Sequence, residues 1–308
     1  MTQQRKGELF LVATALLEGL SPVIIHAGST KYPPLLFAGI CTLLSSIFYY
    51  LWVLKNQNFG ELLNHRALAY LLGVTLFVVI IPSSLFYTGS SMTSGINTAI
   101  LMQMEIFFML LMYGFFLRDH HLTFPKIIAA LLIAFGAMTI VFPGKLSLNM
   151  GDGLIILGTV FPPIGNYFAK KAVKLVDSSV ILFTRSFIGG VSLLFLSALF
   201  EHDYGNPQLI LVHALPMILA QTVLVLIMSK ICWYEGLKRT DVPKAMSISN
   251  MYPAFSLVYA MVLLGETPTS AQLTGFVIMM IGILGFTKKD VLSSLRWGSG
   301  HSLGRRAE

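Results

Sequence analysis

The chain has 308 residues, of which 55% are apolar and 11% charged, with a net charge of +7. Soluble domains carry roughly 25% charged residues, so too little charged surface is present to keep a chain of this size in water. The basic excess lies in short islands between apolar runs rather than in one patch. That placement excludes nucleic acid as a partner and points to lipid headgroups.

Apolar windows bounded by Gly, Pro, Asn and Asp place ten membrane-spanning helices. Their length approaches the ~20 residues needed to cross a hydrocarbon core. In chain order they are Gly7–Ala27, Pro34–Leu54, Ala67–Thr88, Ser94–Leu117, Phe124–Phe142, Gly151–Ala172, Ser178–Phe200, Ile210–Tyr234, Val242–Leu264 and Ser270–Phe286. The first follows Arg5-Lys6 as a signal peptide would, but it contains Glu18 and exceeds the usual apolar core of such a peptide, so it reads as a retained span.

Of the 21 basic residues, 17 fall in one set of alternate connecting segments. Two, Lys31 and Lys145, fall in the other set, and Arg185 and Lys230 lie within spans. The positive-inside bias therefore puts both chain ends in the cytoplasm of a multi-pass protein of the cell (inner) membrane. The two cysteines, Cys41 and Cys232, sit in spans. The histidines, including the adjacent pair His120-His121, form no ligand pattern, so neither a disulfide framework, a metal site nor a cofactor is expected.

The chain also repeats itself. Phe86-Tyr87-Thr88-Gly89 resembles Trp233-Tyr234-Glu235-Gly236, and Leu117-Arg118-Asp119 resembles Leu264-Gly265-Glu266, both at an offset of 147. Thr123, Lys126, Ala129 and Gly136 then match Thr269, Gln272, Gly275 and Gly282, while Gly7-Glu8 matches Gly151-Asp152. The fold class is thus an all-α membrane protein of two five-helix units, 1–146 and 147–290, followed by a basic tail at 291–308. Because five is odd, the second unit crosses the membrane in the opposite sense. Inverted repeats are a recurrent plan for carriers that expose one central site to alternate sides.

These segments, Gly89 to Gly136 and Gly236 to Gly282, including Leu264-Gly265-Glu266-Thr267-Pro268-Thr269, resemble the drug/metabolite transporter superfamily and its ten-helix EamA-type members. The resemblance implies a secondary transporter of a small solute, with export of metabolites, amino acids or toxic compounds, driven by proton exchange. The first half departs from the pattern at Leu117-Arg118-Asp119 and at Glu18-Gly19. The arginine common in the second helix of a repeat is Gly39 in the first half and Arg185 in the second.

Charged groups near the bilayer centre are kept for a reason, because each costs several kcal/mol to place there. Glu18 and Glu105 both fall near mid-span and are the candidate coupling or substrate-binding pair, the alternative being structural carboxyls bonded between helices. Arg185 is a candidate anchor for an anionic substrate group, or an ion-pair or snorkelling residue; Lys230, Lys170 and Lys171 read as snorkelling toward the headgroups. Pro162 and Pro163 interrupt the sixth span and Pro22 the first at the matching position, the kind of paired break that lines carrier sites. Gln103, Asn166, Asn250, Tyr252 and Pro253 add hydrogen-bonding groups and a further break at similar depth. A carboxylate with Arg185 would suit an amino acid or another zwitterion or amine. No Gly-Lys-Ser/Thr loop for ATP and no His-Glu-x-x-His or Gly-x-Gly-Asp set for intramembrane catalysis is present, so an enzyme is not expected. A receptor or assembly protein without transport is the competing class. Solute identity, direction, coupling ion and oligomeric state stay open at this stage.

Overall fold

The structure, a computed structural model, describes residues 3–112, 124–142, 149–201, 207–240 and 242–298. The motif at Leu117-Arg118-Asp119, the His120-His121 pair, Lys145 and the tail beyond Gly298 lie outside the described residues. Every element described is helical. We number the spans α1 (Gln3–Ser29), α2 (Pro34–Lys55), α3 (His65–Ser91), α4 (Gly95–Leu111), α5 (Phe124–Val141), α6 (150–172), α7 (Ser178–Phe200), α8 (207–237), α9 (242–263) and α10 (Ser270–Gly298).

Five of these (α1, α2, α3, α7 and the 212–237 part of α8) are long and apolar enough to cross a membrane unaided, while α4, α5, α9 and the first part of α10 are shorter apolar helices. Their starts are encoded locally. Asn64, Ser94, Asn149 and Asp177 each accept a backbone N–H of the first turn, and Pro34 opens α2, where a missing N–H costs nothing. Gly265, at φ +70°, ends α9 in the left-handed conformation that a side chain disfavours, and so turns the chain toward Glu266.

The halves pack as the repeat requires. The extensive helix contacts include α3 with α6, and also α2 with α7 and α5 with α10, the last two each joining a helix to its own counterpart. Small residues make these contacts possible. Gly136 lies on the carbonyl of Gly275, and the equivalent contact sets Gly282 on the carbonyl of Ala129. Likewise Gly89 lies on Gly151 between α3 and α6, and Gly236 meets Leu11 and Gly7 between α8 and α1. Backbones that approach this closely gain dispersion contacts that lipid tails do not supply. Outside, side chains such as Phe135 (57% exposed), Phe195 (62%) and Val262 (72%) form the apolar perimeter of a protein solvated by lipid.

Five spans are not uniform α-helix. The turns at Thr75–Ile80 of α3 and Ala220–Met228 of α8 widen to π geometry at equivalent positions. Helix α4 breaks at Met102-Gln103 and α9 at Asn250-Met251, again at equivalent positions. Helix α6 breaks at Thr159-Val160, just before Pro162-Pro163. The expected interruption of α1 is corrected here. The helix runs unbroken through Pro22, which only withholds the N–H that would have bonded the Glu18 carbonyl four residues earlier.

The two-fold packing generates a stability prediction. Gly136→Leu forces a side chain into Met279 and the Gly275 backbone and should destabilise the protein by about 1–3 kcal/mol. Gly285→Ala, where a Cβ meets nothing within 4 Å, should be neutral. Thermal unfolding of the detergent-solubilised protein, followed by tryptophan fluorescence, checks both.

Candidate functional site

A cavity of about 320 Å³ lies between the halves, lined by Thr14, Glu18, Ser21 and Pro22 of α1, Met102 and Glu105 of α4, Lys230 and Trp233 of α8, and Ser249 and Tyr252 of α9. The helix irregularities place it. The breaks in α4 and α9 sit directly at Met102 and between Ser249 and Tyr252, and interrupted backbone is tolerated in a membrane where it lines a cavity. The π-widened turn of α8 ends at Met228, directly before Ser229 and Lys230, which both reach Glu18 of α1.

Its electrostatics centre on one ammonium group. Lys230 Nζ donates to Glu18 Oε1 at 2.5 Å, and Ser229 Oγ donates to the same oxygen at 2.9 Å. Both side chains of the ion pair are half-buried, at 32% and 23% exposure, so the pair is shielded from water more than a surface pair is. Lys230 had been expected to snorkel; instead it bonds a carboxylate within the protein, because α1 presents Glu18 within its reach. The Glu105 carboxylate has Lys230 and Glu18 as its ionic neighbours and makes no side-chain hydrogen bond among the described residues. Two carboxylates therefore face one ammonium in the same cavity, Glu18 bonded to it and Glu105 within its electrostatic reach. Beside them, Tyr252 lies against Gln103 and within electrostatic reach of Glu105. Gln103 donates to the Ala99 carbonyl at 3.2 Å, while its own Oε1 is buried without a hydrogen bond among the described residues.

The residues singled out in the sequence thus divide. Glu18, Glu105, Tyr252 and Pro22 line one cavity, with Gln103 behind Tyr252. Arg185, on α7, lies in electrostatic reach of Tyr49 and is not among the lining residues. Asn166 is exposed on α6, and Pro162 and Pro163 are buried where that helix packs on α3, with Phe161 stacked on Phe77. Asn250 and Pro253 flank the α9 break without entering the lining. Lys230, Ser229 and Trp233 were missed as members of one site. A lysine, a serine and a tryptophan at successive helical positions carry no signal until the facing helix is known. Among the described residues there is no cluster of metal-ligating side chains.

Comparison with known proteins agrees with this architecture. The EamA-like transporter family model matches the chain twice, over residues 5–142 and 149–288. A probable amino-acid metabolite efflux pump of Salmonella typhimurium is 25% identical over 293 residues, 91% of this chain and 94% of that protein. An uncharacterized transporter of Synechocystis is 21% identical over 70% of this chain, and the chain spans 65% of that relative's length. A crystal structure sharing 14% identity superposes with a TM-score of 0.62 over 92% of this chain and 96% of its own, a likeness of fold. With both five-helix units matched, the chain belongs to the EamA-like transporter family, within the drug/metabolite transporter superfamily, and is a multi-pass membrane transporter.

Proposed function

We propose that the protein is a secondary transporter that exchanges a small amine-bearing metabolite, an amino acid among the candidates, for protons. It does so by alternating access to the cavity around Glu18, Glu105 and Lys230. The observation that carries this reading is the charge count in the cavity, where two carboxylates face one ammonium. With all three ionised, one negative charge is left over, and a proton or a cationic amine neutralises it. The two ligands then compete for one place, which couples their movements in opposite directions. Trp233 and Tyr252 offer ring faces on which an ammonium is attracted. The carboxylate of a zwitterion finds its counter-charge in Lys230 rather than in Arg185, which stands elsewhere. A volume of about 320 Å³ is at the small end of ligand pockets. The amino-acid efflux relative is consistent with this substrate class.

We place the face carrying Gln3 in the cytoplasm of the cell inner membrane, on the 17-to-2 distribution of basic residues. Export of the amine would then draw protons inward.

Two experiments test the reading. In proteoliposomes, efflux of a panel of amino acids and primary amines should be saturable and faster when the receiving side is more acid. Glu105→Gln should slow it at least about tenfold, the equivalent of ~1.4 kcal/mol. Flux of every compound insensitive both to the pH gradient and to Glu105→Gln contradicts the reading. The ion pair is tested separately by thermal unfolding. Lys230→Met should destabilise by about 1–3 kcal/mol by leaving Glu18 uncompensated, and adding Glu18→Gln should restore most of the loss.

A further inference from the structure

A second cavity, of about 640 Å³, lies between the end of α2, the start of α7 and the end of α8, on the face carrying Gln3. It shares no lining residue with the central cavity. Its α8 wall is Ile231, Tyr234, Glu235 and Lys238, whereas Lys230 and Trp233 line the central cavity from another face of the same helix.

The walls grade from apolar to charged toward the membrane edge. On α2, Phe48 and the lipid-facing Leu51 (58% exposed) come first, then Trp52, then Lys55 at the helix end. Trp52 meets Phe48 edge-on at 6.2 Å and Tyr234 edge-on at 6.2 Å, so three rings form one corner. Tryptophan and tyrosine within a turn of a span's end mark the boundary between hydrocarbon and headgroups.

At that boundary the cavity holds charges of both signs. Lys55 and Lys238 bring ammonium groups, Lys238 lying 2.7 Å from Glu235 and 68% exposed. Asp177 accepts the Ser179 N–H at 2.8 Å and the Ser179 hydroxyl at 2.6 Å. Burial works to raise its pKa, but the hydrogen bonds of Ser179, Asn58 and Ser178 outweigh it and hold the carboxyl below the ordinary range. These donors are neutral, so they fix the negative charge without cancelling it. The bias of basic residues toward one face accounts for the lysines but not for acids beside them. Capping α7 does not demand a charge either, because asparagine or serine caps a helix as well as aspartate does. Nor does the repeat copy the set. On the opposite face the equivalents of Asp177, Glu235 and Lys238 are Pro33, Thr88 and Ser91, none of them charged.

We propose that this groove binds an aminophospholipid of the phosphatidylethanolamine type from the leaflet on the Gln3 side. Lys55 and Lys238 hold its phosphate, and its ammonium lies between Asp177 and the rings of Trp52 and Tyr234, while the chains pass Leu51. A primary ammonium donates hydrogen bonds to a carboxylate and is attracted to ring faces. Choline offers no such donor, and a headgroup with no amine leaves Asp177 facing a phosphate of its own sign. The lipid-facing wall at Leu51 selects a lipid over a free solute. The site stands apart from the central cavity, so its failure leaves the carrier reading intact.

The test reads the lipid beside Trp52. Trp233→Phe/Trp297→Phe leaves Trp52 as the one tryptophan. This protein is reconstituted in phosphatidylcholine vesicles containing a minor fraction of a lipid brominated near the headgroup end of its chains, and quenching is measured. Brominated phosphatidylethanolamine should be enriched at Trp52 at least about fivefold over both brominated phosphatidylcholine and brominated phosphatidylglycerol, the scale of one charge-assisted hydrogen bond. Asp177→Asn keeps the helix cap and should abolish the preference for ethanolamine over glycerol. Lys55→Ala, at an exposed position, should weaken quenching by both phosphatidylethanolamine and phosphatidylglycerol. Variants are scored when they elute as a single species with unchanged helical ellipticity, and two variants on opposite charges keep the test readable if one misfolds. Preference for phosphatidylglycerol in the unsubstituted groove, or an ethanolamine preference unchanged in folded Asp177→Asn, overturns the assignment. Release of the brominated lipid by micromolar soluble phosphoethanolamine would make the groove a solute site and overturns it as well.

Discussion

One ammonium group facing two carboxylates in a single cavity of a lipid-solvated bundle is the constraint on which the rest depends. Lys230 neutralises Glu18 directly and faces Glu105 across a cavity too polar to be filled by packing alone. Placing three ionisable side chains at mid-depth requires a scaffold that screens them from lipid on every side. The two-fold packing supplies it. The close pairs α2 with α7 and α5 with α10 frame the bundle, and α1, α4, α8 and α9 line the cavity.

The frame is symmetric but the chemistry is not. The equivalents of Glu18, Lys230 and Trp233 by the repeat offsets are Pro162, Ser83 and Phe86, and Gly158 lies directly against Phe86 in that second location. One copy of the quasi-equivalent site is thus charged and hollow, while the other is apolar and closely packed. A repeat that duplicates the scaffold while loading one copy gives the bundle two near-equivalent shapes and a single place to bind.

Much of this was legible in the sequence. Span placement, the ten-helix count and the inverted repeat followed from apolar run length and from matched glycines, because helices in lipid leave little choice of structure. Glu18 and Glu105 stood out by their cost. The rest depended on which helix faces which. Pro162-Pro163 and Pro22 read as a matched pair of breaks, yet α1 absorbs its proline and α6 turns its break toward α3. The breaks that line the cavity are in α4, which has no proline near Met102, and in α9. Arg185, expected to anchor an anionic group, lies on α7 outside the cavity lining. Lys230, set nearer the membrane edge in a linear reading, follows the π-widened turn and bonds Glu18 across to α1. That turn is a property of packing and leaves no residue signature.

The central claim is a water-accessible, charge-bearing cavity within a lipid-facing shell, and spin-label accessibility addresses it most directly. Nitroxides placed singly at positions 105 and 135 in reconstituted protein are compared for relaxation by a polar nickel complex and by oxygen. The label replacing Glu105 should favour the nickel complex, and the one replacing Phe135 should favour oxygen, as lipid contact demands. Oxygen preference at both positions would turn Glu105 outward into the bilayer and contradict the account.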